Sequence, residues 1–272
     1  QNLVDLGFEG RVYPVNPKTD TICGLKAYPR VQDIPEAVDL VVSAVPAART
    51  IDVIRDCRDA GIRQVVIVSG GFAEGGGPGR RLHDALAAQA REAGIRILGP
   101  NTLSPINSAN RLIVSFNRLR RMRTGDVSFA FQSGFYEPKL NWLFSQMGIC
   151  KILDMGNKMD INELDALEYL RLDPDTRVIA MHIESLRSDA RRFAQLLKKT
   201  TADKPVIILK TGRTPTGARA AASHTGAMAL EDDAVFAGML KQSGAVRVDR
   251  MEALFDLAKA FHFLPTPAGN RL

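Results

Sequence analysis

Cysteine, histidine and aromatic residues are scarce in this chain: three Cys, four His and one Trp in 272 residues, with aromatics at 6%. Cys23, Cys57 and Cys150 are odd in number and far apart. Their spacing excludes a disulfide framework and a zinc site, so no metal ligand set is expected. No apolar run is long enough to span a bilayer, and no secretory signal opens the sequence, so no membrane partner is expected. A reducing compartment, the cytoplasm, fits these absences best. The basic run Arg118, Arg120, Arg121 and Arg123 has no interleaved aromatics and no nucleic-acid motif around it. It reads as a solvated segment, and a nucleic-acid partner is not expected.

What is present is an ordinary globular balance, 45% hydrophobic and 24% charged, with a net charge of +6. The length suffices for two domains with separate cores, and the positive charge suits phosphate-rich small molecules. Short β-rich runs alternate with amphipathic helical stretches, which predicts parallel α/β architecture. The first part predicts strands at 10–15, 40–44, 64–68 and 96–98, with helices at 48–60 and 80–93. After an Arg-rich connection at 109–124, a second series predicts strands at 127–131, 150–154, 178–183, 206–209 and 246–248. Its helices are expected at 135–147, 163–170, 189–199, 233–243 and 251–261, a flavodoxin-like plan. The division is then 1–122 for a Rossmann-like domain, 123–265 for a flavodoxin-like domain and 266–272 for a linker. Residues 1–8 read as the end of a helix with no strand before it. The first domain is therefore expected to lack its first βα unit, and the natural polypeptide to continue on both sides.

Ligands of such sheets bind where strands end at their carboxyl edges. Four turns of the first domain qualify: Val15-Asn16-Pro17-Lys18, Val45-Pro46, Ser69-Gly70-Gly71 and Gly99-Pro100-Asn101. In the second domain Ser133-Gly134, before a predicted helix, offers backbone N–H groups at a positive helix end. Glu184 closes an apolar strand. His182 beside it is expected to pack in the core, His83 to be exposed on a polar helical pattern, and His262 to lie near a helix C-terminus. The sharpest feature is the run of small residues around His224. Gly212, Gly217 and Gly226 relax the backbone and Ala220–Ala222 carry no bulk. Ser223 and Thr225 supply hydroxyls, and Lys210, Arg213 and Arg219 supply positive charge. A neutral imidazole there can attack phosphorus and hold a phosphoryl group. A surface-loop histidine with no role is the competing reading from chemistry alone.

The segment Ser223-His224-Thr225-Gly226, downstream of Lys210-Thr211-Gly212-Arg213, resembles the phosphohistidine loop of the NDP-forming acyl-CoA synthetases, relatives of the succinyl-CoA synthetase α subunit. The resemblance covers nearly the whole chain in order. Val15, Asn16, Pro17 and Lys18 match the family's first CoA-contacting turn and Val45 and Pro46 its second, with Ser69, Gly70, Gly71 and Asn101 in the next two. Gln132, Ser133 and Gly134 are similar to its phosphate-binding loop. Gly156-Asn157-Lys158 is similar to its Gly-Asn element, and Glu184 to the glutamate that orients the active histidine.

The resemblance implies a ligase that joins an acid to coenzyme A at the expense of ATP, giving ADP and phosphate through an acyl phosphate and a phosphohistidine on His224. It implies partners as well: CoA, a small carboxylic acid, and an ATP-grasp domain that binds ATP or ADP with Mg, in the same chain or as a separate subunit of an oligomer. The family's opening Gly-rich βα turn is not found here, and Gly269-Asn270-Arg271 resembles the start of a following domain. Phe135-Tyr136-Glu137-Pro138 stands where the family has small residues, implying a narrowed acyl site or a delayed helix. Two other readings remain. One is a CoA-sensing module of a multidomain regulator such as a fused protein acetyltransferase; the intact Ser-His-Thr-Gly favours the enzyme. The other, a nicotinamide-dependent dehydrogenase, requires a Gly-rich loop and an acidic strand end where this chain has Val15-Asn16-Pro17.

Overall fold

A computed structural model of the chain describes residues 1–212 and 233–265. After a short helix α1 (Asn2–Asp5) and a small hairpin of β1 (Thr21–Ile22) and β2 (Leu25–Lys26), the first domain forms a parallel sheet. Its strands are β3 (Val41–Ser43), β4 (Gln64–Ile67) and β5 (Arg96–Leu98), ordered β3-β4-β5. Helices α2 (Thr50–Asp59) and α3 (Gly76–Glu92) provide the crossovers. Ile54, Ile67, Leu86 and Ile97 meet in the core between sheet and helices.

The larger sheet has the order β12-β11-β10-β8-β9-β6-β7. Its parallel strands are β8 (Thr124–Phe131), β9 (Ile149–Asp154), β10 (Val178–Ile183), β11 (Val206–Lys210) and β12 (Val246–Val248). Numbered within the domain, these run 2-1-3-4-5, the flavodoxin-like order expected from the sequence. Every residue of β10 is buried, because helices cover both faces of this sheet and the strand carries apolar side chains on both. One face packs on α4 (Leu140–Gln146) and on α8 (Met251–Phe263), the other on α5 (Glu163–Leu172), α6 (Ala190–Thr201) and α7 (Asp233–Gln242). Helix α5 starts where Asn162 accepts from the Leu164 N–H and Asp165 accepts in return from the Asn162 N–H. Helix α6 buries Phe193, Leu197 and Thr200 on one stripe.

The structure corrects four expectations. Residues 10–15 form no strand; Val15 makes an isolated parallel bridge to Tyr28, with Pro14 on one side and Pro17 on the other removing ladder donors. The stretch 109–124 is not a plain connection: β6 (Ile106–Asn107) and β7 (Leu112–Ile113) add an antiparallel hairpin to the larger sheet beside β9. Strands of two residues leave too little periodicity to be read. The helix expected at 135–147 begins as a 3-10 turn, Gly134–Lys139, and becomes α-helical only at Leu140, since the bulky residues and Pro138 occupy the turn. His83 is buried, not exposed, because Gly79, His83, Leu86 and Ala90 share the inward stripe of α3. Burial holds its imidazole below the usual histidine range.

The two sheets are locked at one seam. The turn after β9 runs alongside 97–101: Asn157 N–H donates to the Pro100 carbonyl (2.9 Å), Met159 N–H to Gly99 (3.0 Å) and Ile161 N–H to Ile97 (3.2 Å). Asp160 accepts from the Ile97 N–H (2.9 Å) and the Arg96 Nε (2.8 Å). No described helix is long and apolar enough to cross a membrane.

Candidate functional site

The carboxyl ends of the strands converge on that seam and leave a cleft of about 310 Å³. Val68 and Asn101 line it from the first domain; Gln132, Ser133, Gly134 and Asn157 line it from the second, with Leu103, Phe116 and Phe135. Asn101 sits at φ +62°, a left-handed position that Asn tolerates, and its N–H donates to the Ser69 carbonyl (3.0 Å). That bond ties the third and fourth expected turns together. Gly71 packs against Ala47, which brings the Val45-Pro46 turn alongside. The Val15–Lys18 turn does not line the cleft. It is shaped by Asn16, whose Oδ1 accepts the Lys18 N–H (2.9 Å), and by the Asn16 N–H to the Tyr28 carbonyl (2.9 Å).

In the second domain Gln132 is buried and braces the turn after β10. Its Oε1 accepts the N–H groups of Glu184 (2.8 Å) and Ser185 (3.2 Å). Glu184 is thus held directly beyond the end of β8. His182 lies in the core as expected, its Nε2 against Thr211 Oγ1 (2.9 Å) and its ring edge-on to Phe135. Lys210 is buried with its Nζ donating to the carbonyls of Glu184 (2.7 Å) and Thr211 (2.9 Å). His224, Ser223, Thr225 and Gly226, with Arg213 and Arg219, lie outside the described residues.

Two site residues escaped the sequence reading. Asp154, at the end of β9, is wholly buried, with Oδ2 accepting the Leu103 N–H (2.9 Å) and Oδ1 the Gly156 N–H (3.0 Å). Burial pushes its carboxyl up to about 7, and the charges of Glu137 and Glu184 push in the same direction. The signal for it was in the sequence: like Glu184, it is an acidic residue ending an apolar strand. Glu74 was also missed. It bridges the domains, accepting the Gly71 N–H (2.7 Å) on one oxygen and the Asn157 Nδ2 (2.5 Å) on the other. Lys158, in the Gly-Asn element that the sequence singled out, pairs its Nζ with Glu163 (2.8 Å), both side chains out of water, and donates to the Ser185 carbonyl (2.5 Å). Glu163 in turn accepts the N–H groups of Arg187 (2.7 Å) and Ser188 (2.8 Å), so the Gly-Asn turn and the turn after β10 are fastened together.

The residues at the ends of the first sheet's strands suit an extended ligand with polar groups. Ser43 Oγ and Ser69 Oγ are buried without a protein partner, while Val15, Pro46 and Gly70 stand nearer the surface. Buried hydroxyls are ordinarily hydrogen-bonded, so two orphans at one sheet edge fit a ligand that satisfies them, as CoA would.

Comparison with known proteins finds matches to both parts of the chain. Residues 1–107 match a family model described as a CoA binding domain, and 124–261 match one described as a succinyl-CoA ligase like flavodoxin domain. An acetate–CoA ligase [ADP-forming] II of Archaeoglobus fulgidus is 38% identical over 100% of this chain and 40% of its own length. The acetate–CoA ligase [ADP-forming] I subunit alpha of Pyrococcus furiosus is 36% identical over 100% of this chain and 60% of its own. Among solved structures, the dinucleotide-forming acetyl-coenzyme A synthetase 1 of Ca. Korarchaeum cryptofilum, in complex with phosphate and ADP, superposes with a TM-score of 0.92 at 37% identity. That match covers 98% of this chain and 57% of the other. The chain therefore spans about half the length of the relatives it matches.

Proposed function

Since this chain belongs to the NDP-forming acyl-CoA synthetase family, we propose that it carries the CoA-binding and phosphohistidine parts of such an enzyme. The reaction is acid, CoA and ATP to acyl-CoA, ADP and phosphate. The observation that carries the proposal is the cleft at the seam, where Asn101 of the first domain faces Gln132, Ser133, Gly134 and Asn157 of the second. A thioester bound along the first domain and a phosphoryl group received by the second meet there.

In the direction of acyl-CoA breakdown, phosphate attacks the thioester carbonyl and the CoA thiolate leaves, giving an acyl phosphate. The His224 imidazole then attacks phosphorus, the carboxylate leaves, and the phosphoryl group passes from His224 to ADP. Glu184 orients the ring by a carboxylate–imidazole hydrogen bond, and Gln132 braces the Glu184 backbone. Val15, Asn16, Pro17, Lys18, Val45, Pro46, Ser69, Gly70 and Gly71 form the CoA-contacting edge. Ser223, Thr225 and Gly226 complete the phosphoryl site with Ser133 and Gly134. Nucleotide with Mg is bound by an ATP-grasp partner, fused or separate, in an oligomeric assembly of the cytoplasm.

The test is phosphoryl transfer. With the ATP-grasp partner present, ATP labelled at its terminal phosphate is expected to label the wild type and leave His224→Ala unlabelled. Equal labelling of the two overturns the assignment.

A further inference from the structure

The run Phe135-Tyr136-Glu137 sends its three side chains to different places. Tyr136 turns into the core, with its hydroxyl donating to the Leu103 carbonyl (2.9 Å). Glu137 is buried and draws in the neighbouring segment: Ser115 Oγ (3.0 Å) and Asn117 Nδ2 (2.7 Å) both donate to its Oε2. Phe116, between those two anchored residues, lines the cleft and is 75% exposed. Phe135 also lines the cleft, 40% exposed, and is fixed edge-on to His182 (4.5 Å between ring centres) and Phe131 (5.8 Å). One buried carboxylate and one short turn thus hold two phenyl rings at the same opening.

The rest of the cleft is divided by chemistry. Val68 and Leu103 extend the apolar wall, while Asn101, Gln132, Ser133 and Asn157 offer neutral hydrogen-bonding groups. No Lys or Arg lines it among the described residues. Beneath Gly134 lies Asp154, whose Oδ2 is 3.7 Å from where a Gly134 β-carbon would sit, with Glu137 and Glu184 near enough to act on it electrostatically. With the Ser133 and Gly134 backbone reserved for the phosphoryl group, a substrate with a second anionic group finds no further counter-charge among the residues that line the cleft. A two-carbon acid leaves both rings wet. An aromatic tail covers them in the edge-to-face or offset contacts that rings prefer.

We propose that this cleft holds the acyl group and that the acid is a monocarboxylate bearing an aromatic ring, packed on Phe116 and Phe135. The proposal rests on the acyl-CoA synthetase reading and names the substrate class of the same site.

The test uses the full-length enzyme, or this chain with its ATP-grasp partner, and follows CoA-dependent ADP release with 3-phenylpropenoate, phenylacetate, butanoate, acetate and succinate. Aromatic acids are expected to exceed acetate in kcat/KM by about 10-fold or more, with succinate poorest. In Phe135→Ala the ratio of 3-phenylpropenoate to acetate is expected to drop about 10-fold, and in Phe135→Leu, which keeps apolar bulk, by less. A ratio is read, so a general loss of activity does not imitate the effect. Preference for acetate or succinate in the wild type overturns the proposal, as does a ratio unmoved in both variants. Should ATP fail to label His224, the enzymatic reading falls. Saturable binding of 3-phenylpropenoate, read by ligand-observed NMR and weakened in Phe135→Ala, then decides the pocket separately.

Discussion

Asp154 carries its carboxyl into the protein at the seam, where residues of both domains meet. Its two oxygens hold the Leu103 and Gly156 N–H groups, so it fixes the wall and the floor of the cleft together. Burial raises its pKa from 3.8 to about 7, so between those values the folded state binds a proton that the unfolded chain has released. Stability contributed by this group is therefore present at low pH and lost as pH rises toward 7. An amide in its place would not titrate. The expected outcome for Asp154→Asn, by urea denaturation, is a stability difference that shifts toward the variant by about 2–3 kcal/mol between pH 5 and pH 8. A pH-independent difference contradicts the assignment. Glu184 and Asp154 follow the same sequence rule, an acid at the end of an apolar strand, yet only the fold separates them: one ends beside Gln132, the other beneath Gly134.

At the scale of elements, the turn 155–161 is held by backbone bonds to 97–100 and by a close approach at Gly156. Gly156 has φ +53°, and a β-carbon there would meet the Pro100 carbonyl oxygen at 2.2 Å and that of Asn101 at 2.7 Å. Both the backbone angle and the approach require glycine. Gly156→Ala is expected to cost about 2 kcal/mol or more in thermal or chemical denaturation, and to push Asn157 out of the cleft. Wild-type stability in that variant would refute the close approach. The mainly apolar strands β4, β10 and β11 were legible because burial on both faces needs such runs, and β8 and β9 were legible by the apolar residues that flank Ser128 and Lys151. The 106–113 hairpin was not; a delayed start of α4 was implied by the bulky 135–138 run, but not its 3-10 form at Gly134. The first has too few residues per strand for a period, and the second is decided by where Tyr136 and Glu137 find room.

At the scale of the molecule, two domains share one site because Glu74, Arg96 and the 155–161 turn cross between them. Arg96 pairs with Asp160 (2.8 Å) and Asp165 (3.1 Å), but it is half exposed and contributes modestly. Glu74, with one oxygen on Gly71 and the other on Asn157, is the stronger tie. Glu74→Ala is expected to lower stability by about 1–3 kcal/mol and to move the unfolding of the first domain ahead of the second in calorimetry. An unchanged profile would mean that the seam is held by the backbone bonds alone.

The amino-acid sequence by itself determined the α/β class, the flavodoxin-like plan of the second domain, the turns that follow β3, β4 and β5, and the small-residue motif that contains His224. Each of these is written in local terms: apolar periodicity, glycine and proline placement, and a contiguous motif. Only the tertiary structure decided that His83 is buried, that Glu74 bridges the domains, that Asp154 underlies Gly134 and that Phe116 stands beside Phe135 in one cleft. Those facts depend on residues brought together across long stretches of chain, as with the Asn117–Glu137 and Glu74–Asn157 contacts at separations of 20 and 83. No local pattern encodes such a distance; close packing of two sheets at a shared seam does.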